Sequence, residues 1–253
     1  MAKFKRQKQS EDYWTYVSDV MTGLTIIFLF ISINYISNSS EIAESAKDIV
    51  IDYQLIKQDI ASEIKEEFSD EFEDWEADFD PTTLAFKFNS SEVLFKKGKA
   101  ELSDQFKNIL DIFFPRYIFI IKNEQFRNQI SAIQIEGHTS SDWGDGEKRG
   151  LEAYLKNMKL SQKRSSNVLK YVLNIYNIGE IDLWTRNILS SIGYSSSKIL
   201  YNVDGQSRFE DEKSSRRVSF KLIIDAESKL NKIKNIGSIK WFFIKPDSLI
   251  QLD

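Results

Sequence analysis

Between Trp14 and Ile36 lie 23 residues whose one charged side chain is Asp19. A helix over such a run spans roughly 35 Å at 1.5 Å per residue, enough to cross a bilayer with some tilt. Trp14 and Tyr16 at one end and Tyr35 at the other suit the two interfacial belts where amphipathic rings settle. Lys3, Lys5, Arg6 and Lys8 precede the run, with no acid before Glu11. That bias keeps a basic segment, residues 1–12, in the cytoplasm and puts residues 40–253 on the far side. The sequence "NYISNSSEIAES" that follows is a poor match to a small-residue cleavage site, so residues 13–37 read as an uncleaved transmembrane helix.

Asp19 is the costly residue in this segment. A carboxylate at the centre of a membrane helix costs about 2.5–3.5 kcal/mol on insertion scales. It stands about one and a half turns inside Trp14, so two readings are open. It is either hydrated at the headgroup boundary, or it carries an ion. An elementary charge crossing 100 mV delivers about 2.3 kcal/mol, so an acid that must be neutralised before it moves turns a gradient into work. Thr22 and Thr25, at i+3 and i+6, lie on the same helical side and suit the lining of such a path. Gly23 permits close approach of a neighbouring helix.

The chain has 253 residues, a net charge of −4, no cysteine and one histidine, His138. Disulfides, thiol catalysis and multi-imidazole zinc sites are thereby excluded. No basic stripe with interleaved aromatics marks a nucleic-acid surface. His138, Ser140 and Asp142 sit too close in sequence to suggest a triad, so neither a hydrolytic site nor a metal or cofactor is expected.

Residues 38–80 form a separate stretch. Over 41–80, fifteen acids face three lysines, with no Gly or Pro. Ile42, Ala46, Ile49, Tyr53, Ile56, Ile60, Ile64, Phe68, Phe72, Trp75 and Phe79 recur at intervals of three and four, a helical stripe. A helix of this kind buries its stripe either on its own domain or against a second copy. A helix leaving the membrane has little else to pack on, so the pattern favours a paired, coiled-coil-like stalk.

Residues 81–225 predict an α+β domain. Strands are expected over "TTLAFKFNSSEVLF", "ISAIQIEGHT" and "SRRVSFKLII". Helices are expected after Ser103, over "LSQKRSSNVLKYVLNIYNI" with Ser161 as its cap, and over "IDLWTRNILSSIG". The order implies a mixed sheet with helices on one face. Residues 226–253 are a tail in which "SIKWFFI" offers a strand or a docking segment.

"SEVLFKKGKAELS", "IQIEGHTS", "NMKLSQKRSSNVLKYVL" and "SSRRVSFKLI" resemble, in order, the four blocks of an OmpA-like peptidoglycan-binding domain. The helix block matches at Leu160, Ser161, Arg164, Val168 and Tyr171, with Ser165 where the family has alanine. The resemblance implies that Arg164 grips the carboxylate of the diaminopimelate in the wall peptide, with Asn157 and Leu160 shaping the pocket. A helix starting at Ser161 would add its own N-terminal N–H groups. The family's aspartate, which takes the ligand ammonium, is replaced by Ser140; either Ser140 or Asp142 is left to do its work. His138 is expected to be a strand-end packing residue.

"YVSDVMTGLTIIFLF" in turn resembles the single helix of MotB-type stator subunits, which pair that helix with an OmpA-like domain. With the acidic stretch and "EGHTSSDWG", the whole is most similar to the B subunits of Zorya anti-phage systems. The resemblance implies a bacterial inner-membrane protein with its C-terminal domain in the periplasm. It implies a self-dimer through membrane helix, stalk and wall domain, ringed by a multi-pass MotA-like partner. It also implies an ion flow through Asp19, protons rather than sodium ions. A flagellar stator subunit and a passive wall anchor are the competing readings.

Overall fold

The computed structural model describes residues 2–89, 91–96, 99–143, 150–175, 183–204 and 207–225, with backbone only for 2–12, 91–92 and 203–204. The expectation for residues 226–253 lies outside them. The chain divides into two units, one comprising residues 1–52 and 227–253 and the other Tyr53–Ala226. The described part of the first is the N-terminal portion of helix α1 (Ala2–Glu67). Within it the run from Tyr13 is long and apolar enough to cross a membrane, and its most apolar 18-residue window is not buried at all.

The second unit begins with the rest of α1, and this corrects the expected division at residue 80. The helix ends at Glu67 rather than continuing. Phe68 then enters the core with Ile60 and Ile64, all at 0% exposure, and Trp75 follows them. At Glu76 the backbone takes a left-handed conformation (φ 45°), and β1 (Ala77–Asp80) pairs antiparallel with β2 (Ala85–Phe88). Asp80 closes the connection, accepting from the Thr82 N–H (2.9 Å) and the Thr83 hydroxyl (2.8 Å), an Asx-type turn. Residues 53–80 therefore belong to the domain. Their apolar stripe has helical spacing throughout, and Trp75 and Phe79 fit i, i+4 as well as they fit a strand entry.

The main sheet has the order β1-β2-β7-β3-β4, with β3 (Ile130–Gly137) and β7 (Val218–Ile224) at its centre. β3 pairs parallel with β4 (Leu189–Gly193), and the other pairings are antiparallel. The sheet is mixed, as expected, but β4 occupies the second half of a segment read as helix; among the described residues only α6 (Leu183–Ile188) is helical there. Short helices α2 (Ser91–Leu94) and α4 (Glu124–Arg127) flank α3 (Asp104–Ile121). α3 is capped by Ser103, whose hydroxyl accepts from the Phe106 N–H at 3.0 Å. It packs beside α5 (Leu151–Ile175) on the sheet. A second sheet, the hairpin β5 (Tyr201–Asp204) and β6 (Ser207–Glu210), precedes the one-turn helix α7 (Glu212–Ser215).

Aromatic rings fill the core between α1, α3 and the sheet. Phe113 of α3 lies 4.6 Å from Phe86, 5.1 Å from Phe220 and 5.2 Å from Phe68, centroid to centroid. Arg116 fastens the end of α1 from outside. It donates to the Glu67 side chain (2.7 Å) and carbonyl (2.6 Å) and to Glu71, with its guanidinium 4.8 Å over the Phe68 ring. Phe68→Ala is accordingly expected to cost about 3–5 kcal/mol. Thermal unfolding of the full chain measures it, and a loss under about 1 kcal/mol would show that α1 does not share the core.

Candidate functional site

The site lies where α5 crosses the C-terminal ends of β3 and β4. Two glycines make that crossing possible: a Cβ on Gly137 would collide with the Ser161 carbonyl, and one on Gly193 with the Gln162 backbone. Small residues answer them on the helix, with Ser161 and Ser165 both at 0% exposure. Asn157, Ser161, Arg164, Val168 and Val172 fall on one stripe of α5, and all are buried. Apolar packing at one end of this stripe thus fixes the polar groups at the other.

Ser161 does not cap a helix. α5 begins ten residues earlier, at Leu151, because "LEAYLKNMK" is a run of good helix formers. Its hydroxyl donates back to the Met158 carbonyl (3.0 Å) and accepts from the Ser195 N–H (3.0 Å). The expected set of free N–H groups at this point is absent, since they are spent within the helix. Ser161 instead joins helix to sheet. Ser195, left-handed at φ 52°, donates its hydroxyl to the Tyr154 carbonyl (2.7 Å), and its own carbonyl accepts from the Thr139 N–H (3.0 Å).

Asn157 positions the loop after β3. Its amide donates to the carbonyls of Ser140 (3.1 Å) and Asp142 (3.0 Å). Both residues suggested as substitutes for the missing aspartate are thus drawn to α5 by their backbones. Ser140 is buried at 4% exposure, and Leu160 is half-buried on the same helix. His138 is a packing residue, stacked on Tyr194 with centroids 5.2 Å apart and 3.1 Å from the Glu136 carboxylate. Burial and the charge of Arg217 outweigh the bond to Glu136, so its pKa falls and the imidazole is neutral.

Arg164 is the chemically distinctive group. It is 5% exposed, its Nε donates to the Lys99 carbonyl (3.1 Å), and its guanidinium lies 4.6 Å over the Phe95 ring. No acid pairs with it among the described residues, and its two terminal nitrogens make no hydrogen bond there. Burial, and then the charge of Arg216, press its pKa down to about 10. A forked donor held in a dry place without its own anion is complementary to a carboxylate from outside. Phe95 and Arg216 had no individual signal as site residues in the sequence. Neither had Glu210, whose carboxylate accepts from the Ser141 N–H (2.8 Å) and hydroxyl. It stands in a hairpin with no marked alternation.

Asp19, Thr22 and Thr25 lie on α1 in the other unit, exposed, with the Thr22 hydroxyl on the Ser18 carbonyl (2.8 Å) and that of Thr25 on Met21 (2.7 Å).

No family model matches the chain. Among solved structures it is similar to the cell wall anchor of the T6SS from Pseudomonas aeruginosa, with a TM-score of 0.42 and 15% identity over 64% of this chain and 96% of that one. It is similar also to the periplasmic domain of Helicobacter pylori MotB, with a TM-score of 0.42 and 19% identity over 64% of this chain and 87% of that one. The sequence of the Zorya protein ZorB from Escherichia coli aligns with it over 228 residues at 38% identity, covering 90% of this chain and 94% of the relative. Identity at that level across almost the whole of both chains places this protein in the Zorya ZorB family.

Proposed function

We propose that this protein is the wall-anchored subunit of an ion-driven motor in the bacterial inner membrane, acting in defence against phage. The observation that carries the reading is Arg164, a buried guanidinium with no acid of its own among the described residues. An uncompensated buried charge costs several kcal/mol, and a ligand carboxylate from peptidoglycan repays that cost. Asn157 braces the loop of Ser140 and Asp142, Leu160 walls the pocket, and Ser161 holds the helix to the sheet.

The apolar helix supplies the other half. Asp19 takes up and releases the ion, protons rather than sodium, with Thr22 and Thr25 along the path. One helix encloses no channel, so a multi-pass MotA-like partner surrounds two copies of this chain, which pair through membrane helix, stalk and wall domain. Its work is translocation, with no hydrolytic step. Two substitutions test the reading separately, Asp19→Asn for the ion and Arg164→Ala for the wall.

Orientation has its own test, helped by the absence of cysteine. Single cysteines replace Ser10, before the membrane helix, and Ser62, exposed on α1. With an impermeant maleimide on spheroplasts, the cysteine at 62 is expected to label and that at 10 only after lysis. The reverse pattern would put the domain in the cytoplasm.

A further inference from the structure

A guanidinium is a flat fork on a flexible stem, and what it can hold depends on which edge it shows. Of the N–H groups on Arg164, the one on Nε donates to the Lys99 carbonyl at 3.1 Å. The edge formed by the two terminal nitrogens is left to face a ligand. The Phe95 ring, 4.6 Å below, sets the plane of the fork but not its rotation within that plane. The rotation is set by the Lys99 carbonyl, so whatever holds that carbonyl aims the fork.

We infer that Asn167 is a positioning residue of this site: by holding the segment that carries the Lys99 carbonyl, it turns the free edge of Arg164 toward the wall peptide. The inference rests on the wall-binding reading given above. Three observations carry it. First, the Asn167 amide donates to the Ala100 carbonyl at 2.7 Å, the next carbonyl along the chain from the one that takes Arg164. Two adjacent peptide groups are thus gripped by side chains one turn apart on α5, neighbours on the helix surface. The two peptide planes meet at the Ala100 Cα. Holding both fixes its φ and ψ, and with them the direction of the Lys99 carbonyl.

Second, the place is dry. Ala100 is 6% exposed and Arg164 5%, so water is a poor substitute for either bond. An Arg164 Nε–H that loses its carbonyl is left unsatisfied and turns to find another acceptor, taking the fork with it. Third, the segment is anchored without Asn167. Phe95 bridges Leu102, the Lys96 N–H donates to the Glu101 carbonyl (3.2 Å), and the Ser103 N–H donates to the Leu94 carbonyl (3.0 Å). Leu94, Phe95 and Leu102 all belong to the core. Asn167, half-buried on the helix, adds aim to a segment that is already folded.

The test uses the full chain in detergent, with isotopically labelled arginine, and soluble disaccharide-peptide fragments released from purified peptidoglycan. Asn167→Ala is expected to bind the fragments about tenfold more weakly, as when one bond of the fork is lost. It is expected to melt within about 4 °C of the wild type, the cost of one uncharged hydrogen bond. The Arg164 Nε–H is expected to give a nuclear magnetic resonance signal protected from water exchange in the wild type, identified by its absence in R164A. In N167A that protection is expected to be lost. Both measurements are made well below the melting temperature of the variant, so a larger loss of stability leaves them readable. Wild-type binding by N167A overturns the assignment. So does weak binding with the Arg164 signal unchanged, which would make Asn167 a ligand contact rather than a positioning residue. Arg164→Ala separates the two levels. Loss of binding in R164A with wild-type binding in N167A ends the positioning role and leaves the wall site standing, whereas wild-type binding by R164A removes the wall site itself.

Discussion

Asp19→Asn is expected to abolish protection against phage while leaving the chain in the membrane and on the cell wall. The substitution is nearly isosteric. It keeps a polar amide at a place where any polar group is expensive, so helix insertion and packing change little. What it removes is the capacity to alternate between charged and neutral forms. Asp19 is the one charged side chain between Trp14 and Ile36, and among the described residues it has no ion-pair partner to share that role. Thr22 and Thr25 cannot stand in for it. Their hydroxyls are committed as donors to the Ser18 and Met21 carbonyls, which leaves them only lone pairs to offer a passing ion. Plaque counts on cells carrying D19N are therefore expected to match those on cells lacking the system. Sacculus binding by the same variant is expected to equal that of the wild type. Glu keeps the charge one methylene further out, so Asp19→Glu is expected to retain part of the protection. Full protection by D19N would leave a passive wall anchor as the function.

Much of this molecule is legible in the sequence, for a physical reason. β3, β7, α3 and the inner stripe of α5 each carry a strong periodic pattern, and burial enforces the pattern that the sequence shows. Three of the four OmpA-like blocks fall on β3, α5 and β7, and Asn157, Ser161 and Arg164 share one buried stripe of α5. The failures are equally specific. Ser161 has the chemistry of a cap, but the preceding nine residues favour helix, so the local signal loses to its neighbours. "LSSIG" is too short and too polar to show alternation, and it becomes a strand because β3 offers it an edge. The stalk is the most instructive case. A helical stripe states that one face is buried without stating against what. From Tyr53 onward it is the protein's own core that covers it, with Tyr53 and Ile56 packed against that core and Ile60 and Ile64 within it. Arg216 lay beyond reach because only the path of the chain after β6 brings its charge to bear on Arg164.

Arg164→Ala is expected to lower sacculus binding by at least about thirtyfold, since truncating one partner of a buried charge pair costs about 2–5 kcal/mol. Lys at this position is expected to recover little, because an ammonium keeps the charge but not the planar fork, and the stacking on Phe95 goes with it. The stability of the free chain moves the other way. The folded-state pKa of Arg164, about 10, lies below the ordinary guanidinium value, so the charged form is disfavoured by folding. That penalty is fully present at neutral pH and is relieved only as pH rises from about 10 toward the unfolded value. R164A is therefore expected to melt no lower than the wild type, and loss of binding with a retained or raised melting temperature is the signature of a ligand-facing charge. A purely structural arginine gives the opposite, a lower melting temperature with binding lost in proportion to unfolding. The pH profile adds a second check. Binding is expected to be level across neutral pH, falling near pH 4 as the ligand carboxylate is protonated and above about pH 10 as the guanidinium discharges. Undiminished binding of R164A to sacculi would end the wall-tether reading, and with it the fixed point against which an ion passing Asp19 does work.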